Sequence, residues 1–340
     1  MKKLVFKICI LLIVFACKNN SKTTVNSANK TQKTVKYPSD VLPFMDEWKI
    51  LLGDGTHNDS LVNYQKKDFF YVENENNIDW VVYKAPNAGI TSRTSKNTRT
   101  ELGQKKHWIP EVGGKLTGTL KVQHVSTTGD ATAASSYSVV IGQIHSDEGH
   151  ENEPLKIYYK KFPGHKKGSV FWNYEINTKG DNIGRFDYST AVWGYDFSVV
   201  GSSPTEYPEE PANGIELGEE FTYEVNVYKG TMYLTFRSKN HKTVQFTKSL
   251  IKSEFATKAA IPKQVLKVYA NREKGGGVER EMAYAGELNY FKQGCYNQAN
   301  EKSTKSEVYG GDIAKQYANG SYAEVWFREA SVGTSIKPLK

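Results

Sequence analysis

The chain has 340 residues, of which 38% are hydrophobic and 24% are charged. It is therefore long enough to bury a hydrophobic core. The composition suits one large globular domain or two small ones, and its 21 tyrosines are typical of all-β proteins with aromatic surfaces. The net charge of +8 favours an acidic partner, which can be a polyuronate, a nucleic acid or an anionic surface. Charge alone does not choose among them.

The N-terminal sequence MKKLVFKICILLIVFAC joins a basic start to an apolar run from Ile8 to Ala16. That run is too short to span a bilayer and predicts a signal peptide at residues 1–16. It ends in VFAC, which resembles the bacterial lipoprotein box, where a small residue precedes the cysteine that is lipidated. We therefore expect an exported protein, anchored by lipid at Cys17 in the outer membrane or at the cell surface. An ordinary signal peptide with a chance cysteine is the alternative.

Two further regions follow the predicted signal. Residues 17–36 hold the lipidated cysteine and a polar run of Ser, Thr, Asn and Lys, which predicts a flexible tether. The folded domain is predicted at residues 37–340. Removal of the signal takes away three lysines and no acids, so the net charge falls to +5. Cys9 leaves with the signal, and Cys295 is left without a disulfide partner and is expected to pack as a small hydrophobe.

Strand signals recur along the domain, with turn residues between them. We predict strands at Phe69–Val72, Trp80–Lys84, Lys115–Val125, Tyr137–His145, Leu155–Lys161, Gly168–Tyr174, Gly184–Tyr188, Phe221–Tyr228, Met232–Ser238, Val265–Ala270, Tyr284–Tyr296 and Tyr322–Val332. The sequence FTYEVNVYKGTMYLTFRS predicts a hairpin that turns at Lys229–Gly230. The best helical signal spans Phe246–Thr257, and the polar segments Gly194–Gly214 and Ala299–Gly320 predict loops. The fold class predicted is all-β, a β-jelly-roll sandwich of two antiparallel sheets.

Three segments place polar side chains at alternate positions of predicted strands, and therefore on one face. They are NTRTEL, IGQIH and YFKQGCYNQ. The side chains that they present are Arg99, Glu101, Gln143, His145, Tyr290, Lys292, Tyr296 and Gln298. Gly294 stands between Lys292 and Tyr296, and we interpret it as leaving room for a bound sugar ring.

This set offers no pair of carboxylates of the kind that hydrolyses glycosides. A cation and an amide beside an imidazole and a phenol suit β-elimination from a uronic acid instead. The C5 proton becomes acidic only when the neighbouring carboxylate is neutralised, which Arg99 and Gln143 can do with help from His145. A base then removes that proton and an acid protonates the departing O4, roles that a neutral histidine and a tyrosine beside cations can fill.

The motifs RTEL, QIH and YFKQGCYNQ resemble the three signature strands of polysaccharide lyase family 7, the alginate lyases. The opening LPFMDEWKILLGDGT is similar to the start of that domain, so the resemblance spans about residues 37–332. It implies a jelly roll whose concave sheet forms a substrate groove. It also implies cleavage of the 1,4-glycosidic bond of alginate by β-elimination, which leaves 4,5-unsaturated uronate ends and needs no metal or organic cofactor.

The resemblance also implies roles for individual residues. Arg99 and Gln143 would neutralise the carboxylate at the cleavage subsite. His145 would be the base for guluronate, and Tyr296 the acid, or both acid and base for mannuronate. Four further residues would contact or orient the substrate: Glu101, Tyr290, Lys292 and Gln298. Ile144 in QIH implies a lean towards guluronate-containing blocks, as in a poly(α-L-guluronate) lyase.

One position departs from the family pattern. The family often has Arg after RTEL, where this chain has Gly103, so a cation that lines the groove is expected to be missing. The departure leaves the substrate preference and the neighbouring subsites unassigned. The acidic run Asp147–Glu151 is interpreted as a solvated loop or a wall of the groove rather than a metal site.

Three other functions remain as alternatives. A non-catalytic polyuronate-binding module would keep the aromatics and cations but would not need His145 and Tyr296 together. A lyase for another polyuronate would share the chemistry and differ in the sugar. Nucleic-acid binding by a basic aromatic sheet fits poorly with lipid anchoring outside the cytoplasm, so no nucleic acid is expected. We expect a monomer.

Overall fold

The computed structural model describes residues 35–91, 95–148, 153–176, 186–254, 279–299 and 312–338, and strands dominate this part of the chain. The strands are β1 (Trp48–Leu51), β2 (His57–Asn58), β3 (Phe70–Glu75), β4 (Ile78–Pro86), β5 (Arg99–Gln104), β6 (Gly114–His124), β7 (Ser138–Ser146), β8 (Leu155–Lys160), β9 (Lys167–Ile176), β10 (Phe186–Trp193), β11 (Ile215–Glu216), β12 (Phe221–Tyr228), β13 (Thr231–Ser238), β14 (His241–Ser249), β15 (Asn289–Asn297) and β16 (Tyr322–Gly333). The helices are α1 (Pro38–Val41), a 3-10 turn (Met45–Glu47) and α2 (Ile313–Asn319). None of the helices in these ranges is long and apolar enough to cross a membrane.

These strands form two antiparallel sheets, which confirms the predicted jelly-roll sandwich. One sheet has the order β10-β9-β8-β7-β15-β5-β1-β2, with β11 paired to β9. The other has the order β14-β13-β12-β6-β16-β4-β3. Strands β7, β15 and β5 are neighbours in the first sheet although they lie far apart in sequence. The topology therefore brings the three polar segments of the sequence side by side.

The core lies between the two sheets. Phe291 and Cys295 point into it from β15 and are fully buried, as the alternation of YFKQGCYNQ predicts. On the facing sheet, Tyr83 and Phe327 pack edge to face with ring centroids 5.5 Å apart. Lys292 between these positions therefore points to the opposite face of the sheet, whereas Gln293 shares the core face with Phe291 and Cys295.

The predicted hairpin is confirmed. Strands β12 and β13 pair along their whole length, and Tyr228 lies opposite Thr231 across a two-residue turn. Lys229 and Gly230 both have positive φ, 48° and 78°. This backbone matches the twist of the two strands, which is why two-residue turns of this kind are favoured in hairpins.

Several predicted elements differ from the structure. The predicted helix Phe246–Thr257 is wrong over its described residues 246–254, because Phe246–Ser249 completes β14 and Phe246 lies opposite Leu234 of β13. Tertiary pairing overrides local helical propensity there. Strand β15 begins at Asn289 rather than Tyr284, and the predicted strand Val265–Ala270 lies outside the described residues.

The predicted loop Ala299–Gly320 contains helix α2, and residues 300–311 of that loop lie outside the described residues. Asp312 caps its first turn by accepting a hydrogen bond from the Ala314 amide at 2.8 Å, and Gly320 ends the helix with a φ of 84°. An aspartate before a helix and a glycine after it are ordinary helix signals, so the sequence holds the information for this element.

A buried polar contact joins the two sheets directly behind the polar face. The Gln293 side-chain amide donates to the Tyr223 hydroxyl at 2.6 Å and to the Thr117 carbonyl at 3.1 Å. Two glycines make room for this pair. A Cβ on Gly118 would lie 2.8 Å from the Gln293 amide nitrogen, and one on Gly142 would lie 2.7 Å from the Tyr223 hydroxyl.

We expect Gly142→Ala to destabilise the fold, because the new methyl group overlaps the Tyr223 hydroxyl. Overpacking of this kind costs about 1–3 kcal/mol. Gly333→Ala is the control, since a Cβ at Gly333 meets no atom within 4 Å. Urea-induced unfolding measures both free energies of unfolding. Equal unfolding midpoints in the two variants would contradict the tight approach of Gly142 and Tyr223.

Candidate active site

A cavity of about 480 Å³ opens on the face of the first sheet that points away from the core. Six of the eight side chains selected from the sequence motifs line it: Arg99, Glu101, His145, Tyr290, Lys292 and Tyr296. Gln143 and Gln298 are not among the lining residues. The alternation of the sequence therefore predicted most of this surface.

Strand register sets which of these side chains are neighbours. Across β15 and β5, Tyr296 lies opposite Arg99. Across β15 and β7, Lys292 lies opposite Gln143 and Tyr290 lies opposite His145. The central strand β15 thus contributes one partner to every pair.

Glu101 is the anchor of the cavity floor. It is 4% exposed, and its Oε2 lies 3.4 Å from a terminal nitrogen of Arg99 and 3.8 Å from Nζ of Lys292. Its Oε1 accepts a hydrogen bond from the side-chain amide of Gln143. A buried carboxylate is tolerated only with such partners, so Glu101 orients three neighbours rather than offering a free carboxylate.

His145 is held as a neutral imidazole in the cavity wall. Its Nδ1 donates to the Ser146 carbonyl at 2.6 Å, which leaves the lone pair on Nε2. Burial, and then the positive charge of Lys292, hold the pKa of His145 well below its usual range. Tyr290 stacks on the imidazole with ring centroids 5.3 Å apart and on the other side stacks on His107 at 4.7 Å. The ring is therefore fixed in plane as well as in tautomer.

Arg99 and Tyr296 form a stacked pair at one side of the cavity. The guanidinium carbon lies 3.7 Å from the centre of the phenol ring. One terminal nitrogen of Arg99 donates to the Ser95 hydroxyl at 2.8 Å. Its buried Nε has no acceptor among the described residues. A guanidinium has five N–H donors, so donors remain for a substrate carboxylate.

The two selected glutamines lie outside the cavity lining. Gln143 is 1% exposed and is held beneath the floor by Glu101. Gln298 is buried beside Asn97, whose side-chain amide approaches the Gln298 carbonyl oxygen at 3.5 Å. From these positions Gln143 supports Arg99 through Glu101, and Gln298 supports Tyr296 by donating to its carbonyl at 3.4 Å, rather than contacting a ligand broadly.

The interpretation of Gly294 as room for a sugar ring is wrong. Its φ is 146°, and a Cβ there would lie 2.6 Å from the Thr100 carbonyl oxygen and 3.0 Å from Tyr83. The missing side chain would point towards β5 and the core, not into the cavity. Glycine is required because the backbones of β15 and β5 approach closely here. The approach lies at an irregularity in the pairing of β15 with β7 on the other side.

A cation that none of the three sequence motifs includes occupies the space beside Gly103. Lys49 of β1 lies opposite Gly103 and lines the cavity. A Cβ on Gly103 would lie 3.7 Å from Cε of Lys49, so the lysine side chain passes over the glycine. The expectation that this part of the groove lacks a cation is therefore wrong, because the neighbouring strand supplies one.

Further lining residues come from outside the three motifs. An ion-pair chain runs along one side, with Lys156 3.2 Å from Glu153 and 2.8 Å from Glu175. Glu153 also approaches Nε2 of His145 at 3.8 Å. His57 and Ser95 line the cavity as well. These residues lie on β1–β2 and β8–β9 or between strands, so only the folded topology brings them to the motif strands.

Within the described ranges, no cluster of three His, Cys, Asp or Glu side chains could hold a metal ion. Asp147, from the acidic run, pairs with His107 at 3.0 Å, and residues 149–151 of that run lie outside the described residues.

Comparisons with known proteins agree with this geometry. Residues 42–334 match the sequence model of a family described as alginate lyase. An alginate lyase from Klebsiella pneumoniae is 28% identical over 280 residues, which cover 72% of this chain and 76% of that protein. The crystal structure of an exolytic family 7 alginate lyase from Zobellia galactanivorans is 68% identical, with a TM-score of 0.85, and covers 90% of this chain and 100% of that chain. The Klebsiella structure, 23% identical with a TM-score of 0.63, covers 89% of this chain and 100% of that chain and supports the fold.

The charge of Lys292 gives the cavity a pH dependence. Burial lowers the pKa of Lys292 to about 8, so its ammonium is charged below that pH and loses its proton above it. We expect kcat/KM on a polyanionic substrate to fall as the pH rises through 8. Lys292→Arg keeps its charge to about pH 12 and moves this falling limb upward.

Initial rates across pH 6–10 measure the effect, with Lys105→Arg, which lies outside the cavity lining, as the control. A falling limb at the same pH in Lys292→Arg and the original chain would assign it to another group.

Proposed function

We propose a mechanism for this cavity on the premise that the chain belongs to the alginate lyase family and is a polysaccharide lyase that acts on alginate. The observation that carries the mechanism is the convergence of Arg99, His145 and Tyr296 on one cavity. Around one binding position, Arg99 supplies hydrogen-bond donors, His145 a neutral base and Tyr296 a phenol. β-Elimination from a uronate needs these three kinds of group.

The first requirement is neutralisation of the uronate carboxylate. Arg99 keeps an unpaired Nε–H, and Lys292 adds a second positive charge on the same floor. Gln143 supports them through Glu101, and its amide retains a second N–H. When the C5 proton leaves, negative charge flows into the carboxylate, and donors already in place stabilise it without reorganising.

The proton and electron movements then balance. For guluronate, Nε2 of His145 takes the C5 proton, and the C–H electron pair forms the C4–C5 double bond. The C4–O4 bond breaks, and the Tyr296 hydroxyl gives its proton to O4 of the leaving sugar. For mannuronate, Tyr296 serves as both base and acid: it starts as the phenolate, takes the C5 proton, and passes that proton to O4 as the C4–O4 bond breaks. The new uronate end is 4,5-unsaturated.

A preference for guluronate-containing blocks is part of this proposal. It is supported by the QIH motif and by an imidazole held with its lone pair on Nε2. Ile144 is fully buried in the core, so it does not touch a substrate in the cavity. We propose that it acts by packing the strand that carries His145.

We also propose exolytic attack, from a chain end. The relative that is 68% identical is described as exolytic. The cavity volume of about 480 Å³ is that of a small-ligand site, which suits a few sugar rings better than a long polymer segment. An endolytic enzyme would hold many rings at once.

The location of the protein is a separate proposal. The VFAC sequence before residue 18 supports lipidation of Cys17 and anchoring in the bacterial cell envelope, at the outer membrane or the cell surface, with residues 17–36 as a tether. The catalytic domain is proposed to act as a monomer. Fractionation of cells that express the full chain or Cys17→Ser tests the anchor.

The activity assay comes first. The chain without residues 1–17, given polyguluronate, polymannuronate or pectate without added metal, is expected to raise the ultraviolet absorbance of the unsaturated product on the alginate substrates, fastest on polyguluronate. Short products should appear from the start while viscosity falls slowly. A rapid fall in viscosity would contradict exolytic attack. Binding without any absorbance change would favour the non-catalytic polyuronate-binding module.

Two substitutions test the roles of the acid and the base. Tyr296→Phe is expected to lower kcat about 10²- to 10⁴-fold, the range for loss of a general acid, and to leave oligosaccharide binding nearly intact. His145→Asn is expected to harm guluronate cleavage more than mannuronate cleavage. Tyr207→Phe and His165→Asn, outside the cavity lining, are the matched controls. Full activity in Tyr296→Phe would refute the acid role, and equal losses on both sugars would refute a separate base role for His145.

A further inference from the structure

Ser95 lies between the two side chains of the stacked pair. It precedes β5 and lines the cavity. Its hydroxyl oxygen is 2.8 Å from a terminal nitrogen of Arg99 and 3.2 Å from the hydroxyl oxygen of Tyr296. None of the sequence motifs includes this serine.

Hydrogen-bond accounting fixes the direction of the contact with Tyr296. A serine hydroxyl has one donor and two acceptor lone pairs. Arg99 donates to one lone pair, and the backbone N–H of Asn97 donates to the other at 3.2 Å. Ser95 therefore has no lone pair left to accept the proton of Tyr296. In their contact, Ser95 is the donor.

The single hydrogen of Ser95 has two acceptors within reach. One is the Asn97 carbonyl oxygen at 3.3 Å, and the other is the Tyr296 hydroxyl oxygen at 3.2 Å. Hydrogen bonds to a charged oxygen are stronger than those to a neutral one. As the Tyr296 proton moves to O4 of the leaving sugar, its oxygen becomes a phenolate and competes best for the Ser95 hydrogen.

We propose that Ser95 is the positioning residue of the acid: held as an acceptor by Arg99 and Asn97, it donates to Tyr296 and stabilises the phenolate left after proton transfer. This inference rests on the proposed role of Tyr296 as the acid. It gives the Tyr296 proton a single direction, because Ser95 cannot accept it. It also couples the group that binds the carboxylate to the group that protonates the leaving oxygen.

A structural role for Ser95 would show differently. If Ser95 served only to hold Arg99, its loss would disturb carboxylate binding and would appear in the substrate affinity. If it acts on the phenolate, its loss appears in kcat while affinity is kept. The kcat and KM values together with a direct binding measurement separate the two.

The experiment compares Ser95→Ala, Ser95→Thr and Ser95→Cys on polyguluronate, with Ser202→Ala as a control outside the cavity lining. Ser95→Ala is expected to lower kcat about 10- to 100-fold, the range for one hydrogen bond to a charged oxygen. Ser95→Thr should restore kcat to within a few fold, and Ser95→Cys, a weak donor, should fall between. In the Tyr296→Phe background, Ser95→Ala should change the Kd of a guluronate oligosaccharide less than twofold.

Three results overturn the inference. These are an unchanged kcat in Ser95→Ala, a loss carried by KM and Kd with kcat unchanged, or failure of Ser95→Thr to restore kcat. Full activity of the single variant Tyr296→Phe would refute the role of Tyr296 as the acid. That result is distinct from the three results above, which refute only the role of Ser95. Ser95→Thr and Ser95→Cys keep the test decisive if Ser95→Ala does not fold.

Discussion

The buried carboxylate of Glu101 is the constraint on which the site depends. A charge at 4% exposure must be compensated, and Arg99, Lys292 and Gln143 do so from three adjacent strands. The same contacts that satisfy Glu101 also fix the direction of the cations above it. A polyanion thus meets positive groups that are already in place, and their arrangement does not have to form around the substrate.

Jelly-roll topology makes this arrangement possible. Strand β15 lies between β7 and β5, so residues separated by nearly 200 positions become direct neighbours. The core side of β15 is equally specified, through Phe291, Gln293 and Cys295. One strand therefore supplies three of the six motif side chains that line the cavity and, on its other face, three buried residues of the core. A shift of one residue would exchange the two faces and lose both.

Sequence reasoning predicted the all-β fold, the hairpin at Lys229–Gly230 and the polar face of β15, because all three follow from period-two alternation and turn chemistry. It did not find Lys49 or Ser95, because their roles come from strands or loops that become neighbours only in the folded sheet. Gly294 was found but misinterpreted. The alternation placed it on the cavity face, whereas a side chain there would point towards the β5 backbone and the core, at an irregular pairing that no local pattern encodes.

Burial of the Glu101 network has a consequence for the medium in which the protein works. Dissolved salt screens exposed charges beyond about 10 Å at 0.1 M, but it screens buried pairs much less. The ion pairs of the cavity floor therefore keep their strength in brine, whereas the long-range attraction of a polyanion to exposed lysines fades. Ionic strength then governs how often the polyanion is captured and leaves the shape of the catalytic centre unchanged.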